Sequence, residues 1–518
     1  AYMTADESRY IPVIDVFAGP GGLGEGFSAF REGGQYPFRI RLSVEKDKTA
    51  WETLRLRSFF RQFRVNGLCV PDEYYDHVMG PQSYNRDDLF KKYPEQARSA
   101  SEEAKCLQLG KPAADAEIKE IISKRVRGHT HWVLIGGPPC QAYSLAGRSR
   151  NAQNGKFEDD ERHFLYREYL KIIAQHWPSV FVMENVKGML SAKVKGTSIF
   201  PAVHRDLQAP GKAVRAAQSR QYRIFSLVVR EQGLDFQPSD FVVCTEDYGI
   251  PQARHRVILL GVRQDLVNGN PIAVLDRADE HCPIETVLTL PRLRSGLSRS
   301  ASMSDSWENW RLCVSQALTA AWFKDISPAV RAKMSHTVLA LQNQQRELSL
   351  TSTGRGRMPA FADDWFWDEK LTAALNHEAR LHREDDLHRY LFASCFAAEY
   401  GYAPSLGDFP TGLLPDHANA VKAATEGEQF ADRFRVQCYG RPATTITCHI
   451  AKDGHYYIHP DATQCRSLTV REAARIQTFP DNYFFCGPRT AQYHQVGNAV
   501  PPLLAKSIAR VVHGVLQE

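Results

Sequence analysis

Across the first 270 residues, short apolar runs alternate with longer mixed stretches, and seven runs stand out: YIPVIDVF, FRIRLSVE, HWVLIGG, SVFVMENV, YRIFSLVV, DFVVCTE and HRVILLGV. Each is β-rich and ends near Gly, Asp, Glu or Pro, and several are apolar at every position rather than at alternate ones. That pattern predicts strands covered by helices on both faces, hence an open, mostly parallel α/β sheet. In such sheets ligands bind beyond the carboxyl ends of the strands. The chain's unusual residues fall there.

The pattern also divides the chain. A charged, helix-prone stretch at about 56–130 is long for one crossover and predicts an insert within a first domain spanning 1–284. From about 285 to 465 no clean strand-helix alternation remains, which predicts a second domain. Residues 466–518, from RSLTVREAARIQTFP to QVGNAVPPLLAKSIARVVHGVL, regain helical spacing and predict a return to the first domain.

Composition narrows the classes. With 518 residues, 43% hydrophobic and 24% charged, the chain buries a sizeable core. No apolar run of about 18 residues and no signal-like leader is evident, so no membrane role and a cytoplasmic location are expected. The eleven cysteines form no CxxC pair and no disulfide framework. They read as reduced thiols, and no metal is expected. A net charge of +5 is compatible with a polyanionic partner but does not by itself indicate one.

Four places carry candidate chemistry. In VIDVFAGPGGLGEGF a strand opens into a Gly-rich turn and a helix, suited to close approach of a small molecule or to packing. Glu45 ends the next strand, where a carboxylate accepts ribose hydroxyls of a nucleoside cofactor. In GGPPCQAYS, Pro138 and Pro139 stiffen a turn presenting Cys140, which is either a nucleophile or a buried structural thiol. Tyr143, where a zinc deaminase needs a second cysteine, excludes that pattern. Glu184 and Asn185 end FVMENV, and Arg254 and Arg256 lie two apart in QARHR, so they share a face of an extended segment. Glu184 is a candidate proton donor or a satisfied core carboxylate; the arginines grip a carbonyl or phosphate, or are surface charges.

Taken in order, FAGPGG, Glu45, PPCQ, ENV, QARHR, RSLTVREAARIQTFP and QVGNAVPP resemble the motifs of the DNA (cytosine-5) methyltransferases, spread over roughly residues 11–515. The resemblance is strongest to bacterial enzymes of restriction-modification or phage-defence systems. It implies a class I S-adenosylmethionine-dependent methyltransferase fold, a Rossmann-like mixed sheet, with a variable target-recognition domain at 285–465. It excludes the insert and the region at about 285–440. Lys46 departs from the apolar or aromatic residue that many family members place after the ribose carboxylate.

The family's chemistry assigns roles. Cys140 adds to C6 of a flipped-out cytosine, Glu184 holds or protonates N3, and Arg256, helped by Arg254, holds O2. S-adenosylmethionine is implied along Phe17, Ala18, Gly19, Pro20, Gly21, Gly22, Glu45, Lys46, Gly137, Pro139, Leu165, Asn498 and Ala499, leaving as S-adenosylhomocysteine. Gln141, Ser144 and Arg148 are implied near DNA. Arg292, Arg294 and Arg299, with Arg355 and Arg357, form basic clusters that read guanine or bind phosphate, or are solvated surface. Double-stranded DNA is the implied partner of a monomeric enzyme, with cognate restriction or defence proteins beside it. A tRNA cytosine-5 methyltransferase and a catalytically silent DNA-binding homologue are the alternatives.

Overall fold

All seven apolar runs form strands in the computed structural model, which describes residues 10–80, 84–138, 165–194, 197–218, 220–230, 236–298, 303–341, 364–415 and 432–517. They are β1 (Ile11–Val16), β2 (Phe38–Glu45), β4 (Val133–Gly136), β5 (Val180–Val186), β6 (Tyr222–Phe225), β7 (Val242–Cys244) and β8 (His255–Arg263). An eighth, β3 (Ala104–Cys106), comes from the stretch expected to be an insert. The sheet order is β3-β2-β1-β4-β5-β8-β6, with β7 also paired to β8. Strands β1 to β5 pair in parallel, whereas β8 runs antiparallel to β5, β6 and β7. The sheet is therefore mixed, with β8 the one reversed strand among those described. Order reverses between β1 and β4, the place where α/β sheets open a crevice.

Each face of the sheet is covered. Ile14, Val16, Leu42, Leu134, Phe181, Met183, Val257 and Leu259 meet Tyr169, Leu170 and Ile173 of a helix at Leu165–His176. On the other face Val13, Ile135, Val182, Ile258 and Leu260 meet Leu23 and Phe27 of α1 (Gly22–Ala29), with Leu504, Ile508 and Val512 of a helix at Pro502–Gln517. Complete burial of such side chains contributes about 1.5–3 kcal/mol each.

Two units result. The first comprises Ala1–Tyr74, Tyr84–Glu280 and Ala499–Glu518; the second comprises Tyr75–Ser83 and His281–Asn498. Most of the stretch at 56–130 belongs to the first unit rather than to a body of its own. Its strand β3 pairs with Ser43, Val44 and Glu45 of β2, and Arg57 of the helix at Lys48–Val65 forms a buried ion pair with Glu25 of α1. The return to the first unit falls at Ala499 rather than near 466, because residues 466–498 are held inside the second unit by buried polar contacts. Arg466 Nε donates to the Leu293 carbonyl at 3.1 Å, Arg471 Nε to the Leu375 carbonyl at 2.8 Å, and Arg475 Nη1 to Thr289 Oγ1 at 2.9 Å. The second unit's apolar core gathers Trp310, Met334, Tyr390, Leu391 and Phe434.

Residues Arg489–Gln517 reach the length and mean hydropathy of a membrane span, but most of that stretch is buried inside the protein. They form two helices, Arg489–Asn498 and Pro502–Gln517, separated by Ala499, Val500 and Pro501. Pro501 and Pro502 lack the N–H that a continuous helix needs. The second helix carries the apolar face of the first unit's core.

Candidate functional site

The first motif lies immediately beyond β1. Phe17 and Gly19 both adopt φ of 56°, and Gly21 adopts 95°, so the backbone curls through the left-handed region before entering α1. A non-glycine residue there is held by its surroundings. The N–H of Ala18 bonds the Val44 carbonyl at 3.1 Å, and that of Gly21 bonds the Ala18 carbonyl at 2.9 Å. A Cβ on Gly19 would meet nothing within 4 Å, so this edge of the turn is open. Gly22 is different: a Cβ there would overlap the backbone of Val500, and one on Gly26 would overlap Pro502 and Ala505. Gly22 thus serves close packing of α1 against the returning segment.

Glu45 faces the open edge. Its Oε2 accepts the Gly19 N–H at 2.9 Å and its Oε1 accepts the N–H groups of Lys46 and Asp47, each at 2.8 Å. Burial pushes its carboxyl above the ordinary range, opposed by those N–H donors. Oε1 is filled by its two donors, whereas Oε2 keeps acceptor capacity for a further one. The site therefore fits the ribose end of a nucleoside cofactor: an open turn of uncrowded glycine beside a fixed acceptor. Pro20 is buried, Ala18 is half-buried and Lys46 is exposed. Cys106 lies opposite Glu45 in the β2–β3 pairing, a neighbour the sequence did not suggest because β3 is so short.

A second group forms at the ends of β4 and β5 and the start of β8. Reversal of β8 brings its first residues to the edge where β5 ends. Arg256 lies opposite Val186, and Glu184 lies opposite Ile258, so Arg256 and Glu184 are diagonal neighbours on one face. Arg256 Nε bonds Glu184 Oε1 at 2.9 Å, and Arg256 Nη1 donates to the His255 carbonyl at 2.8 Å. Burial lowers the Arg256 pKa, and Glu184 opposes that shift. A Cβ on Gly137 would lie 2.8 Å from Glu184 Oε2, so the glycine before Pro138 makes room for the acid. Asn185 Nδ2 donates to the Pro138 carbonyl at 3.4 Å, tying ENV to the Pro-Pro turn. Asn185 was visible beside Glu184 in the sequence, but nothing there revealed this partner.

Arg254 is buried. Its N–H bonds Thr245 Oγ1 at 3.0 Å, and its carbonyl accepts the Thr245 N–H at 3.3 Å. Asp15, on β1 two residues before Phe17, is also fully buried, and burial lifts its carboxyl to about 8.

Other expected residues have varied placements. Leu165 is half-buried near Gly110. Ala499 is buried in the first unit, and Asn498 is exposed at the end of its helix in the second. Pro139, Cys140, Gln141, Ser144, Arg148, Arg299, Arg355 and Arg357 lie outside the described residues. Arg292 is exposed and pairs with Asp461 at 2.9 Å. Arg294 differs from its DNA-contact expectation: it is 7% exposed, and its Nη1 is committed to Asp305 at 2.7 Å and to the Ser295 carbonyl. Its charge is spent holding a turn.

The profile of the C-5 cytosine-specific DNA methylase family matches residues 103–211 and 220–513. The chain is 32% identical over 520 residues to the type II methyltransferase M.Bpa9945I of Bacillus paralicheniformis, covering 97% of this chain and 99% of that protein. It is 25% identical over 518 residues to the type II methyltransferase M.AgeI of Thalassovita gelatinovora, covering 96% and 98%. With the DNA (cytosine-5-)-methyltransferase M.ApeKI of Aeropyrum pernix it shares 26% over 434 residues, covering 74% and 81%. The chain therefore belongs to the C-5 cytosine-specific DNA methylases, S-adenosylmethionine-dependent enzymes that methylate cytosine C5 in DNA.

Proposed function

We propose that this enzyme methylates a flipped-out cytosine through a covalent adduct of Cys140 with C6, and that Glu184 and Arg256 hold the ring. The observation carrying this reading is the 2.9 Å Glu184–Arg256 pair beside the Gly137–Pro138 turn that leads into Cys140. Cytosine C5 is too weak a nucleophile to be methylated directly. Addition of the Cys140 thiolate to C6 makes C5 enamine-like. Glu184 engages N3 and supplies its proton, which favours the adduct, while Arg256 holds O2. Arg254, fixed by Thr245, supports the same segment. Asn185 sets the Pro-Pro turn. S-adenosylmethionine, when bound, supplies an electrophilic methyl group. Loss of the C5 proton to a base and departure of Cys140 then free the product.

Phe17 to Gly22 and Glu45 would hold that cofactor, with the glycines admitting it and Glu45 accepting from its ribose. Lys46, Gly137, Pro139, Leu165, Asn498 and Ala499 complete the proposed cofactor set. A base within a duplex is out of reach, so the target nucleotide leaves the stack. The second unit would choose the sequence, with Arg292, Arg355 and Arg357 as candidate contacts, and Gln141, Ser144 and Arg148 would follow the backbone. The type II names of the relatives support a role in marking self DNA against a cognate nuclease.

Bisulfite sequencing of DNA from cells expressing the wild type or Cys140→Ser tests the reading. New 5-methylcytosine at one recurring sequence with the wild type alone is expected. Equal methylation by the variant would sink the covalent mechanism.

A further inference from the structure

We propose that Cys244, Glu246 and His255 form a site for one divalent zinc-class cation, clasping the segment that carries Arg254 and Arg256. The ligand atoms of these three residues all lie within 4.8 Å of one another. Linear spacing conceals the group: Cys244 and Glu246 lie on and just after β7, while His255 begins β8. Antiparallel pairing sets His255 directly opposite Cys244.

The donor set is chemically selective. Thiolate and imidazole favour zinc over magnesium, calcium or manganese, and three protein ligands leave a fourth position for water. A thiolate and a carboxylate together neutralise the dication, and the imidazole remains neutral. Glu246 supplies an independent sign of a missing partner. Its Oε1 accepts from or faces His255 Nε2 at 2.7 Å, while its Oε2 is buried with no hydrogen-bond partner among the described residues. A buried carboxylate oxygen left without a donor is uncommon in a folded protein. A cation between the three residues satisfies it.

On binding, the Cys244 thiol releases its proton to solvent and a metal–sulfur bond forms; no oxidation or reduction is involved.

The site is interleaved with the arginines. Thr245, between two ligands, accepts the Arg254 N–H at 3.0 Å and donates to the Gln252 carbonyl at 2.5 Å. His255 separates the arginines and accepts Arg256 Nη1 at its carbonyl. A bound cation would hold β7 against the start of β8 and so fix the backbone from which both arginines project.

Cobalt(II) titration of the full chain, stripped of metal beforehand, reads the site directly and independently of methylation. The expected result is one equivalent bound, with a thiolate-to-cobalt charge-transfer band and visible bands of tetrahedral intensity, both displaced by zinc. Cys244→Ser should abolish the charge-transfer band and His255→Gln should weaken binding, while Cys140→Ser leaves both unchanged. Thermal melts of the metal-free variants are expected to match the wild type, with zinc raising the melting temperature of the wild type alone. Absence of the band in the wild type, or its survival in Cys244→Ser, would overturn the proposal. So would loss of the band in Cys140→Ser.

Discussion

Arg256 and Glu184 meet at 2.9 Å across two antiparallel strands, each side chain only 14% exposed. A pair so little solvated fixes the orientation of both groups before any base arrives. Glu184→Gln keeps the shape and removes the carboxyl proposed to donate a proton. Its expected effect is a fall in kcat of about 10²–10⁴, with an unchanged far-ultraviolet spectrum. Methyl incorporation from labelled cofactor measures it, and near-normal turnover would remove Glu184 from the chemistry. Arg256→Lys should also be slow, because an ammonium lacks the planar fork.

Two glycines of one motif should fail differently. Gly22→Ala drives a Cβ into the Val500 backbone and should cost about 1–3 kcal/mol of stability, seen as a lower urea midpoint. Gly19→Ala meets open space at φ of 56° and should cost about 1 kcal/mol or slightly more from strain alone. Its larger effect should be weaker cofactor binding by calorimetry, since the methyl group occupies the open edge.

The units should respond oppositely to pH. Folded Asp15 keeps its proton up to about 8, whereas an unfolded aspartate releases it near about 4. Stability of the first unit therefore falls as pH rises through that window, by up to about 1.4 kcal/mol per pH unit, and Asp15→Asn should flatten the slope. In the second unit burial holds His377 and His459 down at about 4, and pushes His382 well below its ordinary value. Unfolding lets these rings take up protons below about 6.5, so that unit weakens as pH falls. Hydrogen exchange at about pH 5 and about pH 8 should show the less protected unit change over.

Glu472 sits fully buried against Arg466. Burial alone would raise its carboxyl, but Arg466 outweighs it and the net shift is downward. Glu472→Ala leaves the buried guanidinium with Leu293, Gln464 and Ser467 as acceptors but no counter-charge, and removes the partner of the Thr469 N–H in the capping box. A loss of about 3–5 kcal/mol is expected in the second unit's unfolding transition. A loss below about 1 kcal/mol would show that Arg466 finds another partner.

Much of the catalytic unit was legible because it is patterned. Runs such as SVFVMENV admit few alternatives to a buried strand, and strand ends are where α/β sheets place chemistry. Glu184 and Arg256 were each ambiguous alone; the antiparallel register of β8, which no local pattern encodes, makes them partners. Strand β3 escaped notice because Ala104–Cys106 is too short to show periodicity. Arg294 misled in another way. Composition places arginine at the surface, and only tertiary partners such as Asp305 and Glu472 permit its burial.

The glycine face of α1 has a consequence for biosynthesis. Gly22 and Gly26 close against Val500, Pro502 and Ala505, which the ribosome adds almost a whole chain later. Such distant pairing gives the first unit a high contact order and makes its final docking slow. Until the segment after residue 499 has emerged, α1 lacks its cover and the cofactor turn it carries lacks a rigid base. A nascent chain can thus possess every residue from Cys140 to Arg256 and still be unable to mark DNA.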